Sequence, residues 1–225
     1  MLIAEEHLTK TERIYKYLES EILNGNLRPG TRLIVKNICE TLGVSDSPVR
    51  EALKLLEATD MIQIVPYIGA VVITPSADWV YSIFVMRAAV EGMATYTAIP
   101  YIDDEQLEKI TAITREMNEF LQEKNYAQYA LLDRQLHTLL YEKSPHAVLL
   151  QQINDLWKKS EYGKAIFGME PEALVDSSIE HDQIIEAIRT RNAEEAQLLV
   201  QKQKLRVGRQ LKALILKNHE GKAAE

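Results

Sequence analysis

The chain has 225 residues, 46% of them hydrophobic, with 33 acidic against 26 basic side chains and a net charge of −7. That length suits one large domain or two smaller ones, and the apolar fraction excludes a disordered chain. The acidic balance excludes a protein that grips nucleic acid through overall charge.

The single cysteine, Cys39, excludes a disulfide framework within the chain and points to a reducing cytoplasm. No uncharged apolar run approaches the roughly 20 residues that cross a bilayer, so no membrane partner is expected. The first residues lack an apolar signal core, and no targeting segment is expected there.

Along the chain, the first elements are sharply punctuated. Thr9 and Glu12 stand at capping-box spacing, and Ile14, Leu18, Ile22 and Leu23 form an apolar helical stripe that Gly25 stops. After a Pro29-Gly30 turn comes a short helix with Ile38, Cys39 and Leu42 inward, ended by Gly43. A third helix follows Ser45 and turns Val49, Leu53 and Leu56 inward. MIQIVPYIGAVVIT then reads as strand, tight turn at Tyr67–Gly69, strand. Three helices and a hairpin make a winged helix-turn-helix over residues 1–75.

From Ser76 on, the strand signals vanish. Ser76 is placed to cap a long amphipathic helix. Asp103 with Gln106 starts a second, whose inner face is Leu107, Ile110, Ile113 or Thr114, Met117 and Leu121. YAQYALLDRQLHTLLYEK is a third, broken at Pro145, and a fourth ends near Gly168–Pro171. SSIEHDQIIEAIRTR is a fifth, and Asn192 with Glu195 caps the last, which is expected to run to about Leu216. The expected fold is therefore mainly α. The winged helix-turn-helix is followed by an all-helical bundle of six or seven helices over 76–218 and a frayed tail over 219–225.

In the third helix, Ser45 suits the N-cap and Pro48 the first turn, where a missing N–H costs nothing. Arg50 falls on the face opposite Val49 and Leu53, free to donate two hydrogen bonds to a guanine edge or a phosphate. Lys36, near the start of the second helix, and the hairpin tip Tyr67-Ile68-Gly69 are placed for backbone contacts. By pattern alone, the same segment also reads as a three-helix cap with a hairpin that touches no nucleic acid. The first 75 residues carry 8 Lys and Arg against 10 Asp and Glu, so DNA binding requires a local basic surface.

These motifs carry a family resemblance. GNLRPGTRL, VSDSPVREAL and PYIG resemble the G-x-L-x-P-G-x-x-L turn, the V-S-R-x-P-V-R-E-A-L recognition helix and the P-x-x-G wing of GntR-type bacterial transcription regulators. The match covers about Ile14 to Thr74, and the helical remainder is similar to the FCD-type ligand-binding domain of the FadR-like branch. The resemblance implies a cytoplasmic homodimer on a palindromic operator in double-stranded DNA, with 76–218 serving effector binding and dimerisation. It implies a regulator, most simply a repressor, controlled by a small metabolite. The family's DNA-contacting positions fall on Lys36, Asp46, Ser47, Arg50 and the wing at Ile68-Gly69, with Ser45 at the helix cap. Two positions depart from the family pattern. Asp46 stands where Arg is usual, and Ile68 where a polar or basic residue is common. Exchanging a phosphate-facing cation for an anion lowers affinity and flattens its salt dependence.

Three readings of Asp46 stay open. As a first-turn anion it stabilises the helix by about 0.3–1 kcal/mol through the macrodipole. Four residues before Arg50, it is placed to aim that guanidinium. In the groove, it can accept from cytosine N4–H.

The helical region holds a second constellation. Asp133 and His137 lie one helical turn apart on one face, and His181 opens a later helix, a set suited to Zn, Ni or Mn. Taken alone, such residues also read as scattered surface or core positions. The resemblance implies a metal site completed by a further His on the last helix; that position here is Gln203, a poorer ligand. Either a divalent metal is retained, bound more weakly, or the pocket is metal-free and its polar groups meet the effector directly.

The resemblance also places Arg87 at the position that pairs with the effector's carboxylate, a role its bidentate fork suits. Its other reading is an ion pair with Glu91. Arg134, Tyr96, Tyr129 and Trp157 are further cavity candidates, although core packing accounts for the aromatics as well. The implied effector is a small organic acid.

Two rival functions remain. One is a metal-dependent helical enzyme, since a metal held by Asp and His in a bundle can activate water. No further carboxylate or His is placed as a general base, so an enzyme is not expected. The other is a regulator-like protein that has lost DNA binding and acts through protein contacts, as Asp46, Ile68 and the acidic first domain would allow.

Overall fold

The computed structural model of the chain describes residues 8–167 and 171–223, with side chains described up to 163 and again from 174 to 217. It falls into two compact units, Met1–Ser76 with Lys158–Gly168, and Ala77–Trp157 with Met169–Glu225.

The first unit runs α1 (Lys10–Leu23), β1 (Arg32–Leu33), α2 (Val35–Leu42), α3 (Asp46–Ala58), β2 (Ile62–Val65) and β3 (Gly69–Val72). The capping box at α1 forms as expected: Glu12 N–H donates to Thr9 Oγ1 at 3.2 Å, and Thr9 N–H to the Glu12 carboxylate at 2.7 Å. Ile14, Leu18 and Ile22 pack against Val49, Leu53 and Leu56 of α3 and against Met61, Ile62 and Val72. Gly43 ends α2 in the left-handed conformation, at φ 64°. Ser45 occupies the N-cap of α3, but its side chain makes no capping hydrogen bond.

The strands are antiparallel in the order β1-β3-β2. β1 has no counterpart in the sequence reading, because two residues are too few to show an alternation. Its only signature is its pairing, Arg32 opposite Val71 and Leu33 opposite Ala70. Tyr162 also belongs to this core, its hydroxyl donating to the Ile73 carbonyl, although the sequence reading assigned its segment to the helical domain.

The second unit is built from α4 (Ala77–Ala98), a 3-10 turn (Ile99–Tyr101), α5 (Asp104–Gln122), α6 (Tyr126–Tyr141), α7 (Ala147–Phe167), α8 (Pro171–Arg189) and α9 (Ala193–Ala223). The residues of α7 from Lys158 on count with the first unit. Asp103 caps α5 by accepting Gln106 N–H at 2.8 Å, yet the Gln106 side chain donates to Leu139 O instead of closing a capping box. Thr114 rather than Ile113 takes the fully buried position on α5. The expected break at 168–170 lies outside the described residues. α9 runs past the expected end to Ala223, and the rest of the expected frayed tail, 224–225, also lies outside them.

α4 and α9 pass so closely that small residues are required. A Cβ on Gly208 would stand 2.5 Å from Phe84 Cβ, and one on Gly92 would stand 2.7 Å from Gln201 Cγ. Phe84 Cβ cannot swing away without moving the backbone. Gly208→Ala should therefore destabilise by about 1–3 kcal/mol of overpacking, less the 0.5–1 kcal/mol that Ala gains in a helix. Thermal melts should show a lowered midpoint; an unchanged or raised one would mean that the helices part at no cost.

Candidate functional site

The first candidate surface lies on the winged unit. Because Val49, Ala52, Leu53 and Leu56 face the core, α3 turns Ser47, Arg50 and Lys54 outward. Asp46 and Arg50 form a two-point ion pair, Nε to Oδ1 at 2.6 Å and Nη2 to Oδ2 at 3.2 Å, with both side chains more than half exposed. The carboxylate thus holds the guanidinium along the helix. Such an exposed i,i+4 pair adds only about 0.3–0.5 kcal/mol to stability.

An open groove of about 280 Å³ runs between α3 and the wing, with Arg32, Arg50, Lys54, Ile64, Ile68 and Gly69 on its walls. The structure therefore brings Arg50, Ile68 and Gly69 together. It adds two cations that the sequence reading missed, Arg32 from β1 and Lys54 one turn beyond Arg50. Their signal in the sequence was faint: Lys54 sits at i+4 from Arg50, but Arg32 faces the groove only because β1 joins the sheet. Lys36, Ser45, Asp46 and Ser47 are exposed outside the groove lining, with Lys36 3.9 Å from Glu40. At the wing tip, Tyr67 is fully exposed at φ 65° and Ile68 half exposed.

The second candidate site is buried in the helical unit. Asp133 and His137 project from α6 and His181 from α8. Their facing atoms lie close together: His137 Nε2 to His181 Nε2 is 3.3 Å, Asp133 Oδ1 to His181 Nε2 is 3.3 Å, and Asp133 Oδ1 to His137 Nε2 is 3.7 Å. A tetrahedral ion with bonds of about 2.1 Å spaces its ligand atoms about 3.4 Å apart, so these three donors fit a divalent metal. Among the described residues neither ring Nδ1 has a hydrogen-bond partner, so neither ring shows the usual outer support there.

Beside this triad, α9 contributes Gln203 and Lys204, both almost fully buried. Lys204 Nζ stands 2.8 Å from His137 Nε2, 3.4 Å from Gln203 Oε1 and 3.6 Å from Glu91 Oε2. Glu91 in turn holds Arg87 Nε at 2.6 Å, and both of these α4 side chains are buried. The Arg87 guanidinium lies 3.8 Å from the centre of the Trp157 ring, with Lys204 at 5.6 Å and Arg134 at 5.7 Å from the same ring. Burial pushes the His137 imidazole well below its ordinary range, and the Lys204 ammonium adds to that. Burial opposes the charge on Asp133, but His137, His181 and Lys204 outweigh it and hold that carboxyl well below the usual range.

Arg87, Arg134, Asp133, His137, His181, Gln203, Tyr129 and Trp157 thus all belong to the inner faces of this unit, and the Arg87–Glu91 pair exists as read from its spacing. Tyr129 is buried, with its hydroxyl on Leu174 O. Tyr96 is a correction: it stands exposed on α4, because the helix turns Glu91, Ala94, Thr95 and Ala98 inward instead. Lys204 was missed, although Val200, Gln203, Val207 and Leu211 mark its helix face as inward and a lysine there is anomalous.

A winged helix-turn-helix with a basic groove beside its third helix, joined in one chain to a helical bundle, is the build of a DNA-binding regulator. Residues 10–72 match the bacterial regulatory proteins of the gntR family and residues 82–202 match the FCD domain, and the chain belongs to the gntR-family regulators that carry an FCD domain. Among its relatives, the HTH-type transcriptional regulator McbR of Escherichia coli is 26% identical over 152 residues, covering 68% of this chain and 69% of McbR. The HTH-type transcriptional repressor RspR of Escherichia coli is 29% identical over 129 residues, 57% of each chain. The solved McbR structure superposes with a TM-score of 0.72 at 21% identity, over 94% of this chain and 99% of McbR. A gntR-type regulator from a Rhodococcus species gives 0.74 at 20% identity, over 92% and 99%. These solved structures establish the shared fold. The chain is a transcription regulator and not an enzyme. No helix among the described residues is long and apolar enough to cross a membrane.

Proposed function

We propose that the protein is a cytoplasmic repressor that binds a palindromic operator as a homodimer and changes its operator affinity when a small organic acid occupies the helical unit. The observation that carries this reading is the placement of the Arg87 guanidinium on the Trp157 ring, against which His137 of the Asp133–His137–His181 triad also packs, with ring centres 6.1 Å apart. A guanidinium fork beside metal-type ligands suits a carboxylate. Asp133, His137 and His181 would hold a divalent ion, which when bound supplies a Lewis-acid position for an effector oxygen. Arg87, already oriented by Glu91, and Arg134 would meet the acid's charge. On the winged unit, Lys36, Ser45, Ser47, Arg50 and the Ile68-Gly69 tip would meet DNA, with Asp46 aiming Arg50.

The dimer is supported by an apolar side of α4. Val85, Met86, Met93 and Tyr96 are all exposed there at helical spacing, and the repressor sense by RspR among the relatives. Effector and operator must then be coupled reciprocally, each favouring one arrangement of the dimer.

The test is binding of the full chain to labelled DNA flanking its own gene, titrated with salt and with a panel of small carboxylic acids. Specific binding that falls with salt and shifts with one acid is the expected result. Absence of specific binding at low salt, with and without acids, would return the protein to the reading in which it acts through protein contacts.

A further inference from the structure

The three donors suit a divalent ion, yet one of them is already engaged. An ammonium group has only hydrogens to give, so the 2.8 Å contact commits the lone pair of His137 Nε2 to Lys204 Nζ. That lone pair is the one a metal needs. The same lysine also engages Gln203 Oε1 at 3.4 Å, the group standing where the family pattern has a fourth ligand.

We propose that Lys204 is the resident cation of this centre, and that a divalent ion enters only by displacing its ammonium from His137 toward Glu91. The proposal deepens the metal part of the reading above and rests on it.

The acceptor for the displaced lysine is already in place. Glu91 Oε2 is fully buried, has no hydrogen-bond partner among the described residues, and lies 3.6 Å from Nζ, just beyond bonding distance. A shift of under about 1 Å would close that gap while the charge stays buried and paired. Two positive charges within a few ångströms in a poorly solvated interior repel strongly, so ammonium and metal cannot share His137. Glu91 also grips Arg87 through its other oxygen, at 2.6 Å. Metal entry would therefore load α4 at the carboxylate that orients Arg87, through a lysine carried by α9. The centre becomes a two-position device, with lysine on the histidine or metal on the triad and lysine on the glutamate.

The test uses the full chain and cobalt(II) alone, followed by visible d–d absorption and equilibrium dialysis. Lys204→Met keeps length and burial but removes the charge, and circular dichroism melts check its fold; Lys204→Gln serves if the Met variant melts early. Cobalt affinity should rise about tenfold or more over the natural chain, and His137→Ala in the same background should abolish it. Equal or weaker cobalt binding by the lysine variants overturns the displacement while leaving the metal reading intact. Tightening by Gln203→His alone does the same, since the missing fourth ligand would then be limiting. No cobalt bound by any of these proteins overturns both.

Discussion

Glu91→Ala is expected to destabilise the helical unit by about 3–5 kcal/mol, because it leaves buried cations without their carboxylate. Glu91 is fully buried, 2.6 Å from Arg87 Nε and 3.6 Å from Lys204 Nζ. The useful control is Glu105 with Lys109, a pair of the same i,i+4 spacing and the same 2.6 Å separation, with both side chains more than half exposed. Glu105→Ala should leave the melting midpoint essentially unchanged, since water replaces the partner. For a chain of this size, the Glu91 loss corresponds to a melting midpoint lowered by roughly 6–20 °C. Similar shifts for the two variants would mean that water reaches Glu91 and that the centre is not the dry ion-pair network described.

Arg50→Ala should cost about 1–3 kcal/mol in operator binding, or roughly 5- to 150-fold, if the guanidinium forks onto a guanine edge. The stability of the winged unit should barely change, because the Asp46–Arg50 pair is solvent-exposed. The companion variant separates the readings of its partner. Asp46→Arg should raise affinity for non-specific DNA and steepen the dependence of log K on log salt by roughly 0.9 for each phosphate gained. If it abolishes operator binding while non-specific binding persists, Asp46 reads a base directly. Fluorescence anisotropy at several salt concentrations, on operator and scrambled duplexes, distinguishes these outcomes.

Much of this molecule is legible locally. The Thr9 capping box, the Gly43 helix stop, the Asp103 and Asn192 caps and the hairpin turn, expected at Tyr67–Gly69 and found one residue earlier at Pro66–Ile68, all rest on residues within four positions of one another. So do the two ion pairs that matter most to the candidate sites, Asp46 with Arg50 and Glu91 with Arg87. The departures have equally specific causes. Gln106 has the spacing of a capping-box partner, yet a half-buried carbonyl at Leu139 offers its amide a better-shielded acceptor. β1 is invisible until β3 lies beside it, and Arg32 therefore joins the basic groove unannounced.

By itself, the sequence determined most helix phases and the family, because caps, turns and amphipathic periods are written in short-range chemistry. It also put Asp133 and His137 on one face, since four residues make one helical turn. Only the tertiary structure decided that His181 meets them and that Lys204, 67 positions from His137, lays its ammonium on the same imidazole nitrogen. No periodicity links residues on different helices. The approach of Lys204 to Glu91 depends likewise on how closely α4 and α9 pack, which Gly92 and Gly208 permit and an added methyl group at Gly208 would strain.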